Sequence, residues 1–329
     1  MNENSTSANI DETPRVLEGG TRAGGVLKRS TAGRPLISVV TVVYNGEAFL
    51  EATLRSSLCQ TYPSLELLVI DGGSKDRTVE VIRRLESSLD YWVSERDGGI
   101  YDAMNKGLAR ATGDWVIFMN GGDEFHSCTV IQELHDQGAF NRYDLVYGDC
   151  EMVYRNGYKR ILRSSRVENL WKGMVCSHQS LFAKRALFKD RPFDNSGGIT
   201  SDASKREKGK CLRLIEADFQ FILRCYVEGA SFGRVPIVIS RMAAGGRSYN
   251  RRVTIALSYY NVVRRYKPTV GIILYHWFNI GRQAIKVGAR AVLPAVVPDS
   301  LIKAKGFINT ITGKHGADGA SPNCPGPPE

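Results

Sequence analysis

Short hydrophobic strands alternate with helices over the first third of the chain, and this alternation limits the folds that are open to it. Strands are predicted at residues 36–43, 65–70, 91–94 and 115–119, and helices between them at 48–60, 76–89 and 100–111. Alternation at this spacing predicts an α/β fold with a doubly wound, mainly parallel sheet. Ligands of such sheets bind beyond the carboxyl ends of the strands.

Three acids stand where predicted strands end. Asp71, Asp97 and Asp123 each lie beside glycine. Glycine lets a backbone approach a ligand closely, and a carboxylate suits Mg²⁺ or Mn²⁺ as well as the hydroxyls of a ribose. One Asp-Gly pair is ordinary turn chemistry, whereas three at one sheet edge indicate a ligand site.

The cysteines and the apolar runs bear on the compartment of this 329-residue chain. Its seven cysteines form no CxxC pair, so we expect no zinc site and predict reduced thiols in a cytoplasmic protein. The N-terminus has no basic start followed by an apolar run, and no run of about 18 apolar residues occurs, so neither a secretory signal nor a membrane span is predicted.

The positive charge is concentrated near the C-terminus. The net charge is +10, and residues 250–329 hold eleven Lys/Arg and three Asp/Glu, or +8. Two stretches there have amphipathic helical spacing, which favours an anionic membrane surface over nucleic acid. Helices of this kind also pack on their own domain, and that alternative stays open.

The pattern predicts four regions. They are a flexible leader at 1–34, a catalytic domain at 35–249 with nucleotide-binding and acceptor halves at 35–125 and 126–249, a basic amphipathic helical segment at 250–314 and a disordered tail at 315–329. Within the acceptor half we predict strands at 145–149 and 151–154 flanking a break, a mobile loop at 197–211, a helix at 212–228 and a strand pair at 231–242.

Several motifs in order resemble family 2 glycosyltransferases. They lie at residues 38–46, 69–78, 97–107, 111–114 and 118–123. The resemblance covers about residues 36–245 and is closest in pattern to bacterial transferases of exopolysaccharide and lipopolysaccharide assembly, including the colanic-acid type. It implies a GT-A-type, Rossmann-like fold and an inverting transfer from a UDP- or GDP-sugar to a saccharide acceptor, lipid-linked, with Mg²⁺ or Mn²⁺ as cofactor.

The same resemblance implies roles for single residues. Asp71 would hold the nucleotide base with Tyr44 nearby, Asp97 would assist at the base or ribose, and Asp123 would bind the metal on the diphosphate. Asn120 stands where the family often has an aspartate, which leaves one strong carboxylate. The remaining donor-binding candidates are Asn45, Gly73, Ser74, Gly99, Asn105, Lys106, Asn120 and Arg247. The loop that contains Arg247 would cover the diphosphate or, as an equal alternative, would be an ordinary basic turn.

The resemblance assigns the acceptor chemistry to a second cluster, at residues 176–180 and 216–220. Asp218 matches the family acid that would deprotonate the acceptor hydroxyl, and Glu216 is its rival two residues away. His178 would order the acceptor or a phosphate, or serve as an ordinary hydrogen-bonded histidine.

Three other functions remain alternatives: a sugar nucleotidyltransferase, a catalytically inert nucleotide-sugar-binding module and, least favoured, a nucleic-acid binder. The scattered cysteines predict a location in the cytoplasm, and the basic C-terminal segment predicts peripheral contact with the inner face of the plasma membrane.

Overall fold

A computed structural model describes residues 16–189, 192–193, 217–244, 252–266 and 268–296, the last eleven of these by their backbone. The strands are β1 Leu17–Gly19, β2 Ile37–Val43, β3 Leu65–Asp71, β4 Tyr91–Ser94, β5 Trp115–Phe118, β6 Asp123–Phe125, β7 Leu145–Val153, β8 Lys159–Leu162, β9 Leu181–Lys184 and β10 Phe232–Ala243. The helices are α1 Leu50–Leu58, α2 Thr78–Arg84, α3 Ile100–Arg110, α4 Val130–Asp136, α5 Ala139–Arg142, α6 Ala217–Val227, α7 Arg252–Val263 and α8 Val270–Val296.

The first half of the chain builds a parallel sheet that carries a core on each face. Strands β4, β3, β2 and β5 lie side by side in that order, each parallel to its neighbour. Every residue of β2 and β3 is buried, as expected for strands covered on both sides. Val40 and Leu68 belong to the core that includes α3, whereas Val39 and Leu67 belong to the core that includes α1 and α2. The doubly wound α/β prediction is therefore confirmed.

The second half adds strands of both directions. β9 runs antiparallel between β5 and β7, and β10 runs parallel to β7. Beyond the end of β9, the carboxyl halves of β7 and β10 carry two further strands, so the order there is β6–β10–β7–β8. The sheet as a whole is mixed, and this four-strand group lies beside the carboxyl edge of the parallel strands, because β6 follows β5 after only a short turn.

The prediction of a flexible leader is wrong from residue 16 onwards. β1 pairs antiparallel with β4, and Thr21–Gly24 form a 3-10 turn. Arg22 of that turn forms an ion pair with Glu66, which no local pattern announces because the two lie 44 residues apart. Residues 1–15, the loop at 197–211 and the tail at 315–329 lie outside the described residues.

Two other predictions in the second half need correction. The strands expected at 145–149 and 151–154 are one strand, β7, because Asp149 and Cys150 both stay paired with β10. The strand pair expected at 231–242 is the single strand β10, whose register shifts twice between Arg234 and Ser240. Such irregularities look like turns in a sequence although the strand continues.

The prediction of reduced thiols is wrong for two cysteines. Cys59 at the end of α1 and Cys128 after β6 form a disulfide across 69 residues of sequence. Their Cα atoms lie 5.2 Å apart, a separation set by the packing of α1 against β6 and not by any spacing in the chain. Cys150, Cys176 and Cys225 are free.

The C-terminal region begins inside the main body of the protein. The chain forms two compact units, Met1–Trp277 and Phe278–Glu329. Val262 and Val263 of α7 are fully buried in the core, and His276 of α8 is buried with its Nε2 atom 2.8 Å from the Trp171 carbonyl. The first amphipathic stretch therefore packs on its own domain. No described helix combines the length and apolarity that crossing a bilayer requires.

One buried carboxylate ties the leader to the parallel sheet. Glu66 in β3 has no exposed surface and accepts hydrogen bonds from Ser38 and from the hydroxyl and backbone N–H of Thr112, besides its ion pair with Arg22. Burial by itself raises the pKa of Glu66, but these hydrogen bonds and the guanidinium outweigh it and lower the pKa below its usual value. The folded protein therefore favours the ionised form of Glu66.

We expect Glu66→Gln to destabilise the protein at pH 7 by about 3–5 kcal/mol, because it leaves the largely buried Arg22 without its counter-charge. A carboxylate whose pKa is lowered by folding stabilises above its unfolded pKa and loses that effect as pH falls through the folded pKa. The difference between wild type and variant should therefore shrink in urea unfolding curves taken below about pH 4.

Glu51→Gln is the matched control, since Glu51 pairs with Arg55 on the exposed surface of α1. It should change stability by less than about 1 kcal/mol. Equal effects of the two variants would contradict the role assigned to Glu66.

Candidate functional site

Two loops at the carboxyl edge of the parallel strands are tied to each other. The backbone N–H of Asn45, after β2, donates to the Ser74 hydroxyl at 2.7 Å, and the N–H of Lys75 donates to the Asn45 side-chain oxygen at 3.0 Å. Asn45 adopts a positive φ of 52°, a conformation that asparagine tolerates better than most residues. Tyr44 beside it is half exposed. The predicted donor residues Tyr44, Asn45 and Ser74 therefore share one rigid rim.

Asp71 closes β3 as a fully buried carboxylate. It accepts the Ser94 hydroxyl at 2.6 Å and the backbone N–H of Ser74 at 3.0 Å, and the Ser74 hydroxyl also donates to it. Gly73 makes the turn with φ of 77°. Asp71 therefore shapes the loop between β3 and α2, and contact with a ligand would require one of these bonds to be exchanged.

Asp97 lies against the same loop. A Cβ atom on Gly72 would come within 2.4 Å of the Asp97 carboxylate, so glycine is needed there for the two loops to approach. The Asp97 carboxylate accepts the N–H of Gly99 at 2.9 Å. Burial raises the pKa of Asp97, with that hydrogen bond and Lys106 acting against it. A raised pKa in a cleft is a common property of binding sites.

Two of the predicted donor residues are engaged in holding this edge together. The side-chain amide of Asn105 pairs with the backbone of Phe193, with N–O distances of 2.8 and 2.9 Å. The Lys106 ammonium lies 2.8 Å from Glu95 and 3.0 Å from the carbonyl of Arg96. Lys106 therefore supports the loop between β4 and α3, whereas Asn105 anchors the backbone of Phe193.

Asp123 opens β6 close to the carboxyl end of β5. Its carboxylate accepts a hydrogen bond of 2.7 Å from the Gln179 amide. Burial raises the pKa of Asp123 to about 6, which Gln179 and His178 counteract in part and Glu124 reinforces. A carboxylate whose pKa is raised by burial is a common feature of functional sites.

His178 joins the two halves of the site. Its Nε2 atom lies 2.7 Å from the side-chain nitrogen of Asn120, and its Nδ1 atom lies 3.6 Å from the Asp218 carboxylate. The other oxygen of Asp218 accepts the Tyr101 hydroxyl at 3.1 Å and the N–H of Phe219 at 2.8 Å. Asp218 thus has one oxygen held in place and one facing the imidazole.

A short 3-10 helix, His178–Ser180, positions these groups. Ser180 anchors it, because its hydroxyl is buried and bonds to the Asp149 carbonyl at 2.9 Å and to Ser240 at 2.6 Å. The two residues before it then point to opposite partners, His178 to Asp218 and Gln179 to Asp123. The turn therefore links the carboxylate of Asp123 to the carboxylate of Asp218.

The predicted residues meet as follows. Asn120, Asp123, His178 and Asp218 lie together, and Tyr44, Asn45, Asp71, Gly73, Ser74, Asp97 and Gly99 line the adjoining loops. Glu216 and Arg247 lie outside the described residues.

The sequence motifs assign no role to Tyr101 or Gln179. Both fall inside the motifs at 97–107 and 176–180, and that proximity was the available signal.

The site offers oxygen ligands to a divalent cation. In the described part of the chain no group of three or more His, Cys, Asp or Glu side chains is arranged to hold a metal ion by itself. The Asn120 side-chain oxygen is buried without a hydrogen-bond partner, and it stands in the same turn as Asp123, whose N–H donates to the Asn120 carbonyl. One carboxylate and one amide oxygen suit Mg²⁺ or Mn²⁺ when a ligand and water complete the shell.

Comparison with known proteins gives one family. Residues 38–203, about half of the chain, match the family model described as glycosyl transferase family 2. An uncharacterized glycosyltransferase of Mycobacterium tuberculosis is 41% identical over 179 residues, which are 51% of this chain and 66% of that protein. A PGL/p-HBAD biosynthesis glycosyltransferase of Mycobacterium bovis is 30% identical over 210 residues, which are 62% of this chain and 75% of that protein. The chain thus spans just under two thirds of the first relative.

Solved structures share the fold at low identity. The mannosyltransferase PcManGT from Pyrobaculum calidifontis, in complex with GDP-Man and Mn²⁺, superposes with a TM-score of 0.52 at 18% identity and covers 84% of this chain and 81% of its own. TarS of S. aureus, in complex with UDP-GlcNAc, gives 0.50 at 14% identity over 80% of this chain and 77% of its own. These likenesses support the GT-A architecture.

We expect Asp123→Asn to stabilise the protein at pH 7 by about 1–3 kcal/mol, since one pKa unit corresponds to about 1.4 kcal/mol. The folded pKa of about 6 lies above the usual 3.8, so the native state binds the extra proton and loses stability as pH rises from about 4 to 6. The gain should vanish below about pH 4. Thermal unfolding across this range measures it. Asp136→Asn on the exposed side of α4 is the control, and a pH-independent gain would contradict the explanation.

Proposed function

Because the chain belongs to glycosyl transferase family 2, we propose that it transfers a sugar from a nucleoside diphosphate sugar to a saccharide acceptor. One observation carries the proposal. The His178–Ser180 turn binds the partly buried carboxylate of Asp123 on one side and faces the carboxylate of Asp218 on the other. Transfer needs both, one to bind the leaving diphosphate through a cation and one to accept a proton.

The donor would lie across the loops after β2, β3 and β4. Asp71 and Asp97 would meet the base and ribose there, beside the exposed ring of Tyr44. The related structures contain GDP-Man in one case and UDP-GlcNAc in another, so both UDP- and GDP-sugars remain candidates. Within this proposal Gly73 and Gly99, both at positive φ, let the backbone approach the nucleotide.

Asp123 and the Asn120 oxygen would hold Mg²⁺ or Mn²⁺. The related mannosyltransferase structure contains Mn²⁺, and the buried, unpartnered Asn120 oxygen fits a cation ligand. A bound cation would neutralise the charge that builds up on the departing diphosphate. Arg247 remains the proposed second source of positive charge.

Asp218 would act as the base. The Tyr101 hydroxyl and the Phe219 N–H hold one carboxylate oxygen and leave the other to take the proton of the acceptor hydroxyl. The acceptor oxygen then attacks the anomeric carbon as the bond to the diphosphate breaks, and the configuration inverts. His178 would orient Asp218 and the acceptor. Glu216 remains the alternative base, two residues away.

The acceptor proposed is a lipid-linked saccharide of cell-surface polysaccharide assembly. One relative is named for PGL/p-HBAD biosynthesis. Val270, Leu274 and Trp277 are exposed at helical spacing on α8, and residues 250–329 carry a net charge of +8. These features support peripheral attachment to an anionic leaflet, which we place at the cytoplasmic face of the membrane. The cysteines give no support for this compartment, since two of them are bonded.

Membrane attachment predicts sedimentation with vesicles of phosphatidylglycerol but not with vesicles of phosphatidylcholine alone, because both charge and apolar contact contribute. Replacing Leu274 and Trp277 by serine should reduce the bound fraction several-fold. Binding that is absent, or equal for both vesicles, would contradict the attachment.

The transfer itself predicts slow hydrolysis of one nucleotide sugar by the purified protein. UDP-, GDP- and dTDP-sugars should be compared with Mn²⁺ and with EDTA. We expect EDTA and Asp123→Ala to abolish release. Asp218→Asn should lower kcat by about 10²–10⁴-fold, the usual contribution of a general base, with donor binding changed less than about twofold.

Asp136→Asn is again the control and should leave release unchanged. Absence of nucleotide binding across the panel would contradict the donor site. Nucleotide binding with identical, negligible release by wild type and Asp218→Asn, in the presence of saccharide acceptors, would favour the inert binding module.

A further inference from the structure

A rigid hairpin projects from the carboxyl edge of the sheet beside the site. It joins β7 to β8 through a tight turn, in which the N–H of Tyr154 donates to the Tyr158 carbonyl at 2.8 Å and the N–H of Gly157 donates to the Tyr154 carbonyl at 2.9 Å. The N–H of Tyr158 also donates to the side-chain oxygen of Asn156 at 3.1 Å. Gly157 has a φ of 78°. These bonds fix the direction of the turn without any ligand.

Two arginines of the hairpin are exposed and form no ion pair with the described residues. Residues 152–167 contain five Lys or Arg residues and no acid. Lys159 pairs with Glu151 at 3.9 Å and Arg163 with Asp149 at 2.7 Å. Arg155 and Arg160 are exposed, and no carboxylate of the described residues lies within 4 Å of either guanidinium.

Arg160 shares a face of the sheet with Asp123. The strand register pairs Asp123 with Met242, Met242 with Met152, and Met152 with Arg160. Directly paired residues of neighbouring strands point to the same face, so the four form one row across β6, β10, β7 and β8. Lys159 is paired with Val153 one position along and points to the opposite face.

The segment from Ser177 to Ser180 contacts this same face of the sheet. Gln179 bonds to Asp123 at one end of the row, and the Ser177 hydroxyl lies 3.7 Å from the sulfur of Met242, the next member. Arg160 stands two strands beyond Met242. With about 4.8 Å between strands, its backbone is roughly 14 Å from that of Asp123. A short saccharide and the arginine side chain together fill such a gap.

The turn adds an aromatic surface. The rings of Tyr154 and Tyr158 lie 5.6 Å apart, and Tyr158 is 59% exposed. Tyrosine rings offer a large apolar face with a polar end, which suits the C–H face of a sugar. Aromatic and cationic groups therefore occur together at the end of the row.

We propose that the β7–β8 hairpin binds a phosphate or diphosphate group on the acceptor, with Arg160 as the guanidinium that holds it and Arg155 as its neighbour. Arginine binds phosphate oxygens in a bidentate manner, and the two exposed guanidinium groups of Arg155 and Arg160 match a multiply charged group better than a single carboxylate. The inference rests on the proposed function, since it concerns the acceptor of that transfer.

Calorimetric titration tests the proposal with inorganic diphosphate, farnesyl diphosphate and uncharged farnesol as probes. The full-length protein is first saturated with the nucleotide and Mn²⁺ found in the donor panel, so that the donor site is filled. We expect both diphosphates to bind and farnesol not to bind. Arg160→Gln should weaken diphosphate binding about tenfold, corresponding to about 1.4 kcal/mol, and Arg160→Lys should restore part of it.

Lys159→Gln is the matched control, because it removes the same charge from the same strand on the opposite face. It should change binding less than about twofold. Tighter binding of the farnesyl compound would identify a lipid-linked diphosphate, and equal binding of both would identify a free phosphate group; each supports the site. Absence of binding, or equal losses in the Arg160 and Lys159 variants, would overturn it.

The outcome is separable from that of the proposed function. Release of nucleotide by Lys159→Gln should equal that of wild type, since Lys159 points away from the face that carries Asp123. If no nucleotide binds at all, the transfer proposal fails by itself. The contrast between the Arg160 and Lys159 variants still reports on the hairpin in nucleotide-free protein.

Discussion

The hydrogen bond between Gln179 and Asp123 is the constraint around which the site is organised. It places an acid from β6 against a turn whose own anchor, Ser180, is bonded to β7 and β10. That turn cannot move without disturbing both strands, since the Ser180 hydroxyl is fully buried. Asp123 and Asp218 are thereby held at a fixed separation, which is what a reaction that depends on positioning requires.

Local sequence patterns predict most of the parallel half of the fold. The β-branched run at β2 and the helical spacing of α3 each depend on neighbours within a turn or two, and both elements lie where the pattern predicts. Their order then brings Asp71 and Asp97 to one edge by topology alone. For this reason the acids at the strand ends can be recognised from the sequence alone.

What the sequence could not reveal depends on contacts between distant residues. Arg22 with Glu66, and Cys59 with Cys128, are separated by 44 and 69 residues, and no periodicity encodes such pairs. The same limit applied to Tyr101, whose hydroxyl holds Asp218 across 117 residues. The position of Arg160 in the row of Asp123 likewise follows from strand register, which is set by pairing partners that a single segment does not specify.

Satisfied and unsatisfied polar groups are distributed unevenly, and this contrast identifies the site independently of any motif. Glu66 and Asp149, both buried, have cations and several donors, and folding lowers the pKa of each. Within the described part of the chain, Asp123 accepts a hydrogen bond from the Gln179 amide, and burial raises its pKa; the Asn120 oxygen in the same turn is buried without a partner. Uncompensated polar groups destabilise a fold. Their occurrence together in one turn, in contrast to the well-bonded Glu66 and Asp149, is typical of a binding site.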